Sequence, residues 1–302
     1  MKRMKVVLNP IAGRGRGARV ESELQSALQE EGIEFDLERT ARPGHAVELA
    51  RQAVGDGFEI VVAAGGDGTM HEVVNGLMAA SGGGDTGTLG IIPIGSGSDF
   101  AHTVGVPPNL RAACHRLAHG QVQVVDVGQI TMPGQAVRYF DNTLGIGFDG
   151  VVTVEARKVK WLRGMALYLP VVLKTVFLSL KVPRATIEYD GQTLTLPALM
   201  ICVANGPREG GGFLVAPQAQ PDDGLFDLCI AREVSRLAQL ALIPHFIQGT
   251  HVNKEPVTMA RAKRVTISSP DDLVAHVDGE VLCTAGRQIE CEIFPRRLRV
   301  WC

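Results

Sequence analysis

The stretch Glu59-Ile60-Val61-Val62-Ala63-Ala64-Gly65-Gly66-Asp67-Gly68-Thr69 decides the fold of the first half of the chain. Its apolar run predicts a buried strand, and the following segment, Met70–Ala80, predicts a helix. A glycine loop between a strand and a helix presents bare backbone N–H groups at the positive end of the helix dipole. Asp67 would repel a phosphate unless a cation lay between them, so the loop indicates a nucleotide phosphate with Mg²⁺. A plain tight turn is the alternative interpretation.

The segments around this loop alternate between strand and helix, which predicts an α/β domain with a doubly wound parallel sheet. Ligands bind such sheets at the carboxyl ends of the strands. Asn9-Pro10, Thr40, the Gly65 loop and Gly95-Ser96-Gly97 all fall at such ends. We expect strands at Met4–Leu8, Ile33–Arg39, Ile60–Ala64, Leu89–Ile94 and Val122–Val127, and helices at Ala18–Glu31, Gly44–Gly57, Met70–Ala80 and Asn109–His119.

From about residue 129 the pattern changes to short runs of strand type, which predict a mostly antiparallel β-sandwich domain with helical insertions. The domains are therefore expected at 1–128 and 129–295. Helices are expected around Val151–Leu180 and at Ser235–Gln248. The expected strands are Val137–Leu144, Arg184–Tyr189, Gln192–Leu196, Ala198–Ala204, Leu225–Ala231, Val257–Ile267, Leu273–Val277 and Gln288–Phe294.

Bulk composition narrows the classes of function. With 302 residues, 45% of them hydrophobic, the chain can bury a large core, and a formal net charge of −2 argues against nucleic acid as a partner. The six cysteines are scattered without a CxxC pair, which favours a reducing compartment. The basic N-terminus lacks a signal-peptide core, so we expect a cytoplasmic protein. The sequence leaves open whether it forms a homodimer.

Trp161–Leu180 is about long enough to span a bilayer. Arg163, Pro170 and Lys174 interrupt it, which disfavours a spanning helix. We expect a packed helix whose apolar face lies near a lipid or a bilayer surface, and an ordinary core helix is the alternative.

Two further glycine loops are ambiguous by themselves. Asn9–Gly17 lacks the Gly-Lys-Ser/Thr ending of a Walker loop, and a flexible basic loop is its simpler interpretation. In Gly95–Phe100, Ser96 can donate to a phosphate and Asp99 can join Asp67 around a metal ion, although Ser98 or Asp99 could simply cap the next turn. Gly145–Gly150 spells GxGxxG but falls in the β-rich half, so a Rossmann site is rejected, and Asp149 is retained as a candidate site residue.

Carboxylates recur in the second half. Gln220–Asp227 holds three acidic residues and a glycine, which suits a hard cation or, equally, a solvated turn. In Asp278-Gly279-Glu280, Glu280 could accept the proton of a hydroxyl that attacks a phosphate, with Asp278 beside it, whereas a β-turn is the simpler alternative. The histidines show no ligand spacing and are interpreted as structural or surface residues: His71, His102, His115, His119 and His276.

Together these motifs resemble the diacylglycerol kinase catalytic-domain family of bacterial lipid kinases, which is related to sphingosine kinases and, more distantly, to NAD kinases. The resemblance extends along nearly the whole chain. It rests on Gly65–Thr69 with Glu72, Gly95–Phe100, Gly145-x-Gly147-x-Asp149, Asp278-Gly279-Glu280 and the pattern Asn205-Gly206 … Gly210-Gly211-Gly212 … Pro217-x-Ala219 … Asp223-Gly224 … Asp227.

The resemblance implies an NAD kinase-like first domain to which residues 296–302 return. It implies Mg²⁺-dependent transfer of the ATP γ-phosphate to diacylglycerol or a related lipid at a membrane surface, with Glu280, Asp278 and Asp67 as catalytic residues. An acidic network near the catalytic Mg²⁺ would comprise Asp67, Asp99 and Asp126, and a separate structural Mg²⁺ would use Gln220, Asp223 and the carbonyl of Leu225. The implied ATP-binding residues are Asn9, Pro10, Gly13, Thr40, Gly65, Gly66, Asp67, Gly68, Thr69, Met70, His71, Glu72 and Ser96.

The chain departs from the family pattern at four positions. Ser96 and Ser98 stand where the family often has Thr and Asn, His71 stands where Asn is usual, and Gln220 is a neutral residue at the structural metal site. Ser98 and His71 keep open the alternative of a regulator that binds nucleotide or lipid without catalysis. The other alternative is an NAD kinase-like phosphotransferase, which would use the same Gly65–Thr69 loop on a soluble hydroxyl. The apolar segment Leu162–Leu180 and the glycine–aspartate pattern of the second half disfavour it.

Overall fold

The computed structural model describes residues 3–82, 86–95, 97–159, 165–177 and 181–302. The chain forms two compact units, one of Met1–Val127 with Arg296–Cys302 and one of Gly128–Pro295. The C-terminal residues thus return to the first unit after the second is complete.

The first unit alternates strands and helices, as the hydrophobic pattern predicts. Its strands are β1 Met4–Leu8, β2 Phe35–Arg39, β3 Ile60–Gly65, β4 Thr88–Pro93 and the first part of β5 Val122–Thr131. Its helices are α1 Ala12–Glu30, α2 His45–Gly55, α3 Asp67–Ser81, α4 Asp99–Thr103 and α5 Leu110–His119.

The sheet of this unit is built from parallel pairs. β1 pairs with β2 and β3, β3 pairs with β4, and β4 pairs with Arg299–Trp301 at the C-terminus. Leu24 and Leu28 of α1 and Leu117 of α5 share one buried cluster with alternate residues of β1 and β3 and with Ile92 of β4. The strands are fully buried along β3 and β4, which explains why their sequences are continuously apolar rather than alternating.

Two helices begin earlier than predicted. α3 begins at Asp67 rather than Met70, because the Gly66 carbonyl already accepts the N–H groups of Thr69 and Met70, at 2.9 and 3.1 Å. α1 begins at Ala12 rather than Ala18, but Gly13–Gly15 have left-handed backbone angles, so a kink separates its first turn from the regular helix.

The second unit is mainly antiparallel. After the end of β5, its strands are β6 Arg138–Phe140, β7 Thr143–Gly147, β8 Arg184–Tyr189, β9 Gln192–Ala204, β10 Phe226–Arg232, β11 Val257–Ala262, β12 Arg264–Val277 and most of β13 Glu280–Trp301. Its helices are α6 Phe148–Ala156, α7 Met165–Phe177 and α8 Arg236–Gln248.

Two long strands give this unit its layered form. β9 and β12 pair with β8 through their parts at 192–197 and 265–268, and with β7 through their parts at 200–204 and 275–277. The buried cluster between these ladders includes Phe140, Leu144, Ile187, Phe226 and Ile267. A two-domain architecture with mixed α/β structure is therefore confirmed.

Several predicted strands of this half have other bounds. The predicted strand Val137–Leu144 is two strands, because a turn at 141–142 separates β6 from β7. The predicted strand Val257–Ile267 is also interrupted, since Asp190 accepts the N–H groups of Lys263 and Arg264 at 2.9 and 3.1 Å and ends the β10–β11 ladder. The runs at 192–196 and 198–204 form one strand, β9.

The apolar stretch Trp161–Leu180 was predicted as one packed helix. Its described part forms α7, and residues 161–164 and 178–180 lie outside the described part of the chain. Among the residues that the structure describes, no helix is long and apolar enough to cross a membrane. α7 lies against α8. Phe177 of α7 is 62% exposed and Leu237 of α8 is 79% exposed, so this pair of helices presents apolar side chains to solvent.

Candidate functional site

Three glycine-containing segments meet at the carboxyl ends of β1, β3 and β4 in the first unit. The Asn9 amide donates to the Thr69 hydroxyl at 2.9 Å, which joins the segment after β1 to the first turn of α3. The third segment follows β4 and contains Gly95. A Cβ atom on Gly95 would lie 2.5 Å from the Cα of Gly66, and one on Gly13 would lie 2.5 Å from the Ile94 carbonyl oxygen. No other residue type fits at these two positions without backbone movement.

The same crowding explains the glycine at the end of β3. A Cβ on Gly65 would lie 2.3 Å from the Thr69 hydroxyl, so Gly65 lets the first turn of α3 fold back on its strand. Gly66 precedes the helix in an extended conformation, and Asp67, Gly68 and Thr69 form the first turn. The N–H groups of a first helical turn have no intrahelical acceptor, so this end of α3 is suited to bind a phosphate.

Asp67 holds the segment after β4 in place. Its carboxylate accepts the N–H groups of Ser98 at 2.8 Å and Asp99 at 2.9 Å. A Cβ on Gly97 would lie 2.8 Å from Asp67 Oδ2 and 3.5 Å from Asp99 Oδ2, so both carboxylates face the space beside this glycine. Ser98 has a left-handed backbone and Asp99 is buried. The structure thus brings Asp67 and Asp99 together.

Asp126, the third member of the predicted acidic network, has a separate contact. It is fully buried on β5 and accepts the N–H of Arg296 at 2.6 Å. This bond anchors the chain where it re-enters the first unit. Asp67, Asp99 and Asp126 do not form a group with all ligand oxygens within 4.8 Å of one another in the described part of the chain. The predicted network of these three residues near Mg²⁺ stays a prediction.

Other predicted nucleotide-binding residues surround this edge of the sheet. The Thr40 N–H bonds to the Leu8 carbonyl at 2.8 Å, which places Thr40 beside the start of the Asn9-Pro10 segment. Glu72 accepts the N–H groups of Gly44 and Ala46 at 2.8 and 3.1 Å, and so caps the N-terminus of α2. Met70 and His71 are buried side chains. The predicted residue Ser96 lies outside the described residues.

In the second unit, Asp278-Gly279-Glu280 forms the turn between β12 and β13. Asp278 is buried, and its carboxylate accepts the N–H groups of Asp141, Asn142 and Thr143 at 3.4, 3.2 and 3.0 Å. Glu280 is 44% exposed and pairs with the guanidinium of Arg157, just after α6. Asp278 therefore stabilises the β12–β13 turn by bonding it to the backbone at residues 141–143, whereas Glu280 presents its carboxylate to solvent. The sequence analysis missed Arg157, which lies 123 positions away.

The predicted structural metal residues have another partner. Asp223 accepts the Leu225 N–H at 3.1 Å and pairs with Arg261, which also lies 3.5 Å from Asp227. Burial raises the pKa of Asp227, and the positive charge of Arg261 opposes this shift. Arg261 reaches both carboxylates because β10 and β11 pair side by side with Asp227 opposite Arg261, and the predicted metal site stays a prediction.

A third group of residues was not predicted together. Asp149, in the first turn of α6, Glu209 and His276 of β12 converge in the second unit. Burial raises the pKa of the Asp149 carboxyl to about 7 and lowers the pKa of His276 to about 4. The sequence analysis retained Asp149 as a candidate but interpreted His276 as structural, because the separations along the chain hide the cluster.

The fold has two recognisable parts: an α/β unit with a glycine-rich edge at the carboxyl ends of its strands, and an antiparallel β unit that follows it in the chain. The sequence profile described as "Diacylglycerol kinase catalytic domain" matches residues 3–130. The profile described as "YegS C-terminal NAD kinase beta sandwich-like domain" matches residues 142–302. The two matches together cover most of the chain.

Individual relatives agree with these matches. A diacylglycerol kinase of Bacillus subtilis (strain 168) is 30% identical over 93% of this chain and 90% of its own length. A diacylglycerol kinase of Mycobacterium tuberculosis (strain CDC 1551 / Oshkosh) is 28% identical over 99% of this chain and 94% of its own length. The crystal structure of a diacylglycerol kinase from Bacillus anthracis str. Sterne has the same fold, with a TM-score of 0.75, 24% identity and coverage of 99% and 96% of the two chains.

The chain belongs to the diacylglycerol kinase family, and it is a lipid kinase. The identification agrees with the family resemblance that the motifs carry. It also favours catalysis over a purely regulatory role.

Proposed function

We propose that this protein transfers the γ-phosphate of ATP to a hydroxyl group of diacylglycerol or a closely related lipid, in a reaction that depends on Mg²⁺. The observation that carries the proposal is the convergence of three glycine segments at the carboxyl ends of β1, β3 and β4. Kinases act mainly by positioning the phosphates and stabilising their charge, and this edge offers backbone N–H groups for both tasks.

On the nucleotide side, the N-terminus of α3 would bind the phosphates through the N–H group of Gly68, since the Thr69 N–H already bonds to the Gly66 carbonyl. The hydrogen bond between Asn9 and Thr69 would keep the Asn9–Gly13 segment against this turn. Thr40 lies beside the same segment, and Ser96 and Pro10 complete the proposed set of contacts. The buried Met70 and His71 side chains would support the turn from below, so only their backbone could contact ATP.

Asp67 and Asp99 fit a magnesium ion. Each carboxylate oxygen can accept more than one hydrogen bond or metal contact, so Asp67 retains capacity beyond the N–H groups of Ser98 and Asp99. Bound Mg²⁺ would neutralise phosphate charge as the γ-phosphate is transferred. At the second predicted Mg²⁺ site, Asp223 pairs with Arg261 and accepts the Leu225 N–H, so an ion bound there would share Asp223 with Arg261.

On the acceptor side, Glu280 is the proposed general base. Its exposed carboxylate would accept the proton of the lipid hydroxyl as the oxygen attacks phosphorus. Arg157 would hold Glu280 in one orientation while leaving its other oxygen for the substrate. Asp278, with three backbone donors, would fix the turn on which Glu280 sits rather than exchange protons.

The second unit also offers apolar surface for a lipid. α7 and α8 expose Leu173, Phe177, Leu237 and Ile247, and a surface of this kind suits peripheral contact with a bilayer. A shallow groove lies at the start of α6 and has mainly apolar walls. Its lining residues are Gly147, Phe148, Val151, Lys181, Val182, Pro183, Leu199, Asp272 and Val274.

The decisive experiment is transfer of label from [γ-³²P]ATP with Mg²⁺ to a panel of acceptors in mixed micelles. The panel contains diacylglycerol, phosphatidylglycerol, ceramide and sphingosine, with NAD in a separate reaction. We expect label in diacylglycerol or one related lipid. Label only in NADP, or label in no acceptor, would refute the proposal.

A further inference from the structure

A buried cluster in the second unit joins three segments that are far apart in the chain. Asp149 comes from α6, Glu209 from the loop between β9 and β10, and His276 from β12. One ligand atom of each lies within 4.8 Å of the other two, and His276 Nε2 lies 3.7 Å from Glu209 Oε2. These residues are not among those assigned above to ATP, magnesium or the lipid hydroxyl.

The cluster is deeply enclosed. His276 is 3% exposed and Asp149 is 9% exposed. Within the described part of the chain, Asp149 Oδ2 is buried without a hydrogen-bond partner. A buried carboxylate oxygen is costly unless it is paired with a cation, a hydrogen-bond donor or a metal ion. Asp149 therefore points to a missing partner at this position.

A glycine lets the histidine lie close to the backbone of β7. Gly145 of β7 is the direct neighbour of His276 in the β7–β12 ladder. A Cβ on Gly145 would lie 2.2 Å from His276 Nε2 and 2.8 Å from the Asp149 Cβ. Any side chain at position 145 would displace the imidazole, so the glycine allows His276 Nε2 to lie beside Asp149.

We propose that Asp149, Glu209 and His276 bind one divalent transition-metal ion, for which Zn²⁺ is the representative. One imidazole nitrogen and two carboxylates suit such an ion better than Mg²⁺, which prefers oxygen ligands and retains several waters. Atoms this close can all reach an ion at about 2.0–2.2 Å after small side-chain rotations, and a water would complete four-coordination.

The bound ion would link the start of α6, the Glu209 loop and the end of β12. His276 lies two residues before Asp278, whose carboxylate holds the turn that carries Glu280. The ion would therefore act as a positioning element for that turn and for α6, rather than as a participant in phosphate transfer. It would have this role whatever lipid the protein phosphorylates.

Metal titration of the purified full-length protein tests the proposal without ATP or lipid, so its result is independent of the proposed reaction. The exposed group Glu31, His115 and His119 in the first unit could also attract metal. All proteins therefore carry His115→Gln and His119→Gln, and this double variant is the matched control. EDTA-treated protein is titrated with Zn²⁺ by calorimetry. Excess Mg²⁺ is present throughout, so that sites made only of oxygen ligands are already occupied.

We expect the control to bind one equivalent of Zn²⁺. Adding Asp149→Asn, Glu209→Gln or His276→Gln should weaken binding at least tenfold. Co²⁺ should produce a visible d–d absorption band in the control that Zn²⁺ abolishes, and this readout does not depend on whether a variant folds. Absence of the band from the control, or unchanged Zn²⁺ affinity in folded Asp149→Asn and His276→Gln proteins, would overturn the proposal.

Discussion

Asp67 in the first unit and Asp278 in the second occupy similar places in their motifs, since each precedes a glycine at the end of a strand. Asp67 is half-buried and accepts two backbone N–H groups from a segment 31 and 32 positions away. Asp278 is buried and accepts three N–H groups from the turn between β6 and β7. Both carboxylates organise a neighbouring loop through its backbone.

The difference lies in what remains available for chemistry. Asp67 shares the space beside Gly97 with Asp99, so it can hold its loop and still face a cation. Asp278 is enclosed by its donors, and the exposed acid of its motif is Glu280, two residues later. Two acidic residues of one short motif can thus differ in role, since one stabilises the turn and the other is left accessible to a substrate.

The largest expected effect is on Glu280. Replacing Glu280 with Gln removes the proposed proton acceptor but keeps the size and much of the polarity of the side chain. We expect kcat with the lipid acceptor to fall by about 10²–10⁴-fold, the usual contribution of a general base. Steady-state kinetics on mixed micelles measure this. Glu290→Gln, at an exposed position of the same strand, is the matched control and should keep full activity. An active Glu280→Gln enzyme would contradict the assigned role.

The free energy of unfolding should be more sensitive to the loss of Asp278 in the second unit than to the loss of Asp126 in the first. Asp278→Ala removes the acceptor of three backbone N–H groups, whereas Asp126→Ala removes the acceptor of the Arg296 N–H. At about 1 kcal/mol or more for each orphaned donor, we expect losses of about 3 and about 1 kcal/mol in the free energy of unfolding. Urea denaturation measures both. Equal losses would show that the number of backbone donors does not determine the cost.

The apolar surface of α7 and α8 should affect binding to membranes but not activity on a lipid that is free in solution. The double variant Phe177→Ser/Leu237→Ser removes two exposed apolar side chains, each able to contribute about 1.5–3 kcal/mol when buried. We expect vesicle binding to weaken at least tenfold, with unchanged activity on a short-chain, monomeric diacylglycerol. Sedimentation with vesicles measures the binding. Val137→Ser, at another exposed apolar position of this unit, is the control, and an equal loss there would refute the specific role of the helices.

A smaller effect should reveal how the first-unit segments cooperate. Asn9→Ala and Thr69→Val each remove one side of the 2.9 Å hydrogen bond between them. A double-mutant cycle on kcat/KM for ATP should give a coupling energy of about 0.5–1.5 kcal/mol, the usual value of such a bond. Strictly additive effects would mean that the two segments contribute independently.

The smallest expected effect concerns pH. His251 in the second unit is fully buried and hydrogen-bonded to the Val215 carbonyl, and burial lowers its pKa below the ordinary 6.5. The unfolded chain therefore binds more protons just below pH 6.5, so stability is lost as pH falls through this range. We expect His251→Gln to reduce the slope of unfolding free energy against pH between 5 and 7, measured in urea. His102→Gln, at an exposed site, should leave it unchanged, and an unaltered slope in His251→Gln would exclude this contribution.

The glycine segments were predictable because their constraint is local. Gly65 and Gly66 follow a fully buried strand and begin a helix, and both facts are visible in apolar runs and residue type. The start of α3 was placed three residues late, since residue preference does not reveal that the Gly66 carbonyl already accepts the bonds of the first turn. The contacts of Arg157 with Glu280 and of Arg296 with Asp126 were not predictable, because they span 123 and 170 positions.

The sequence by itself determined the alternation of buried strands and helices in the first half, the β-rich second half, and the glycine turns whose backbone must approach its neighbours closely. Periodicity and the absence of side chains are local properties, so they can be read along the chain. Only the tertiary structure decided which carboxylates brace loops, which one stays exposed, and that His276 meets Asp149 and Glu209. Those outcomes depend on strand register and burial, which arise from contacts between residues that are distant in the sequence.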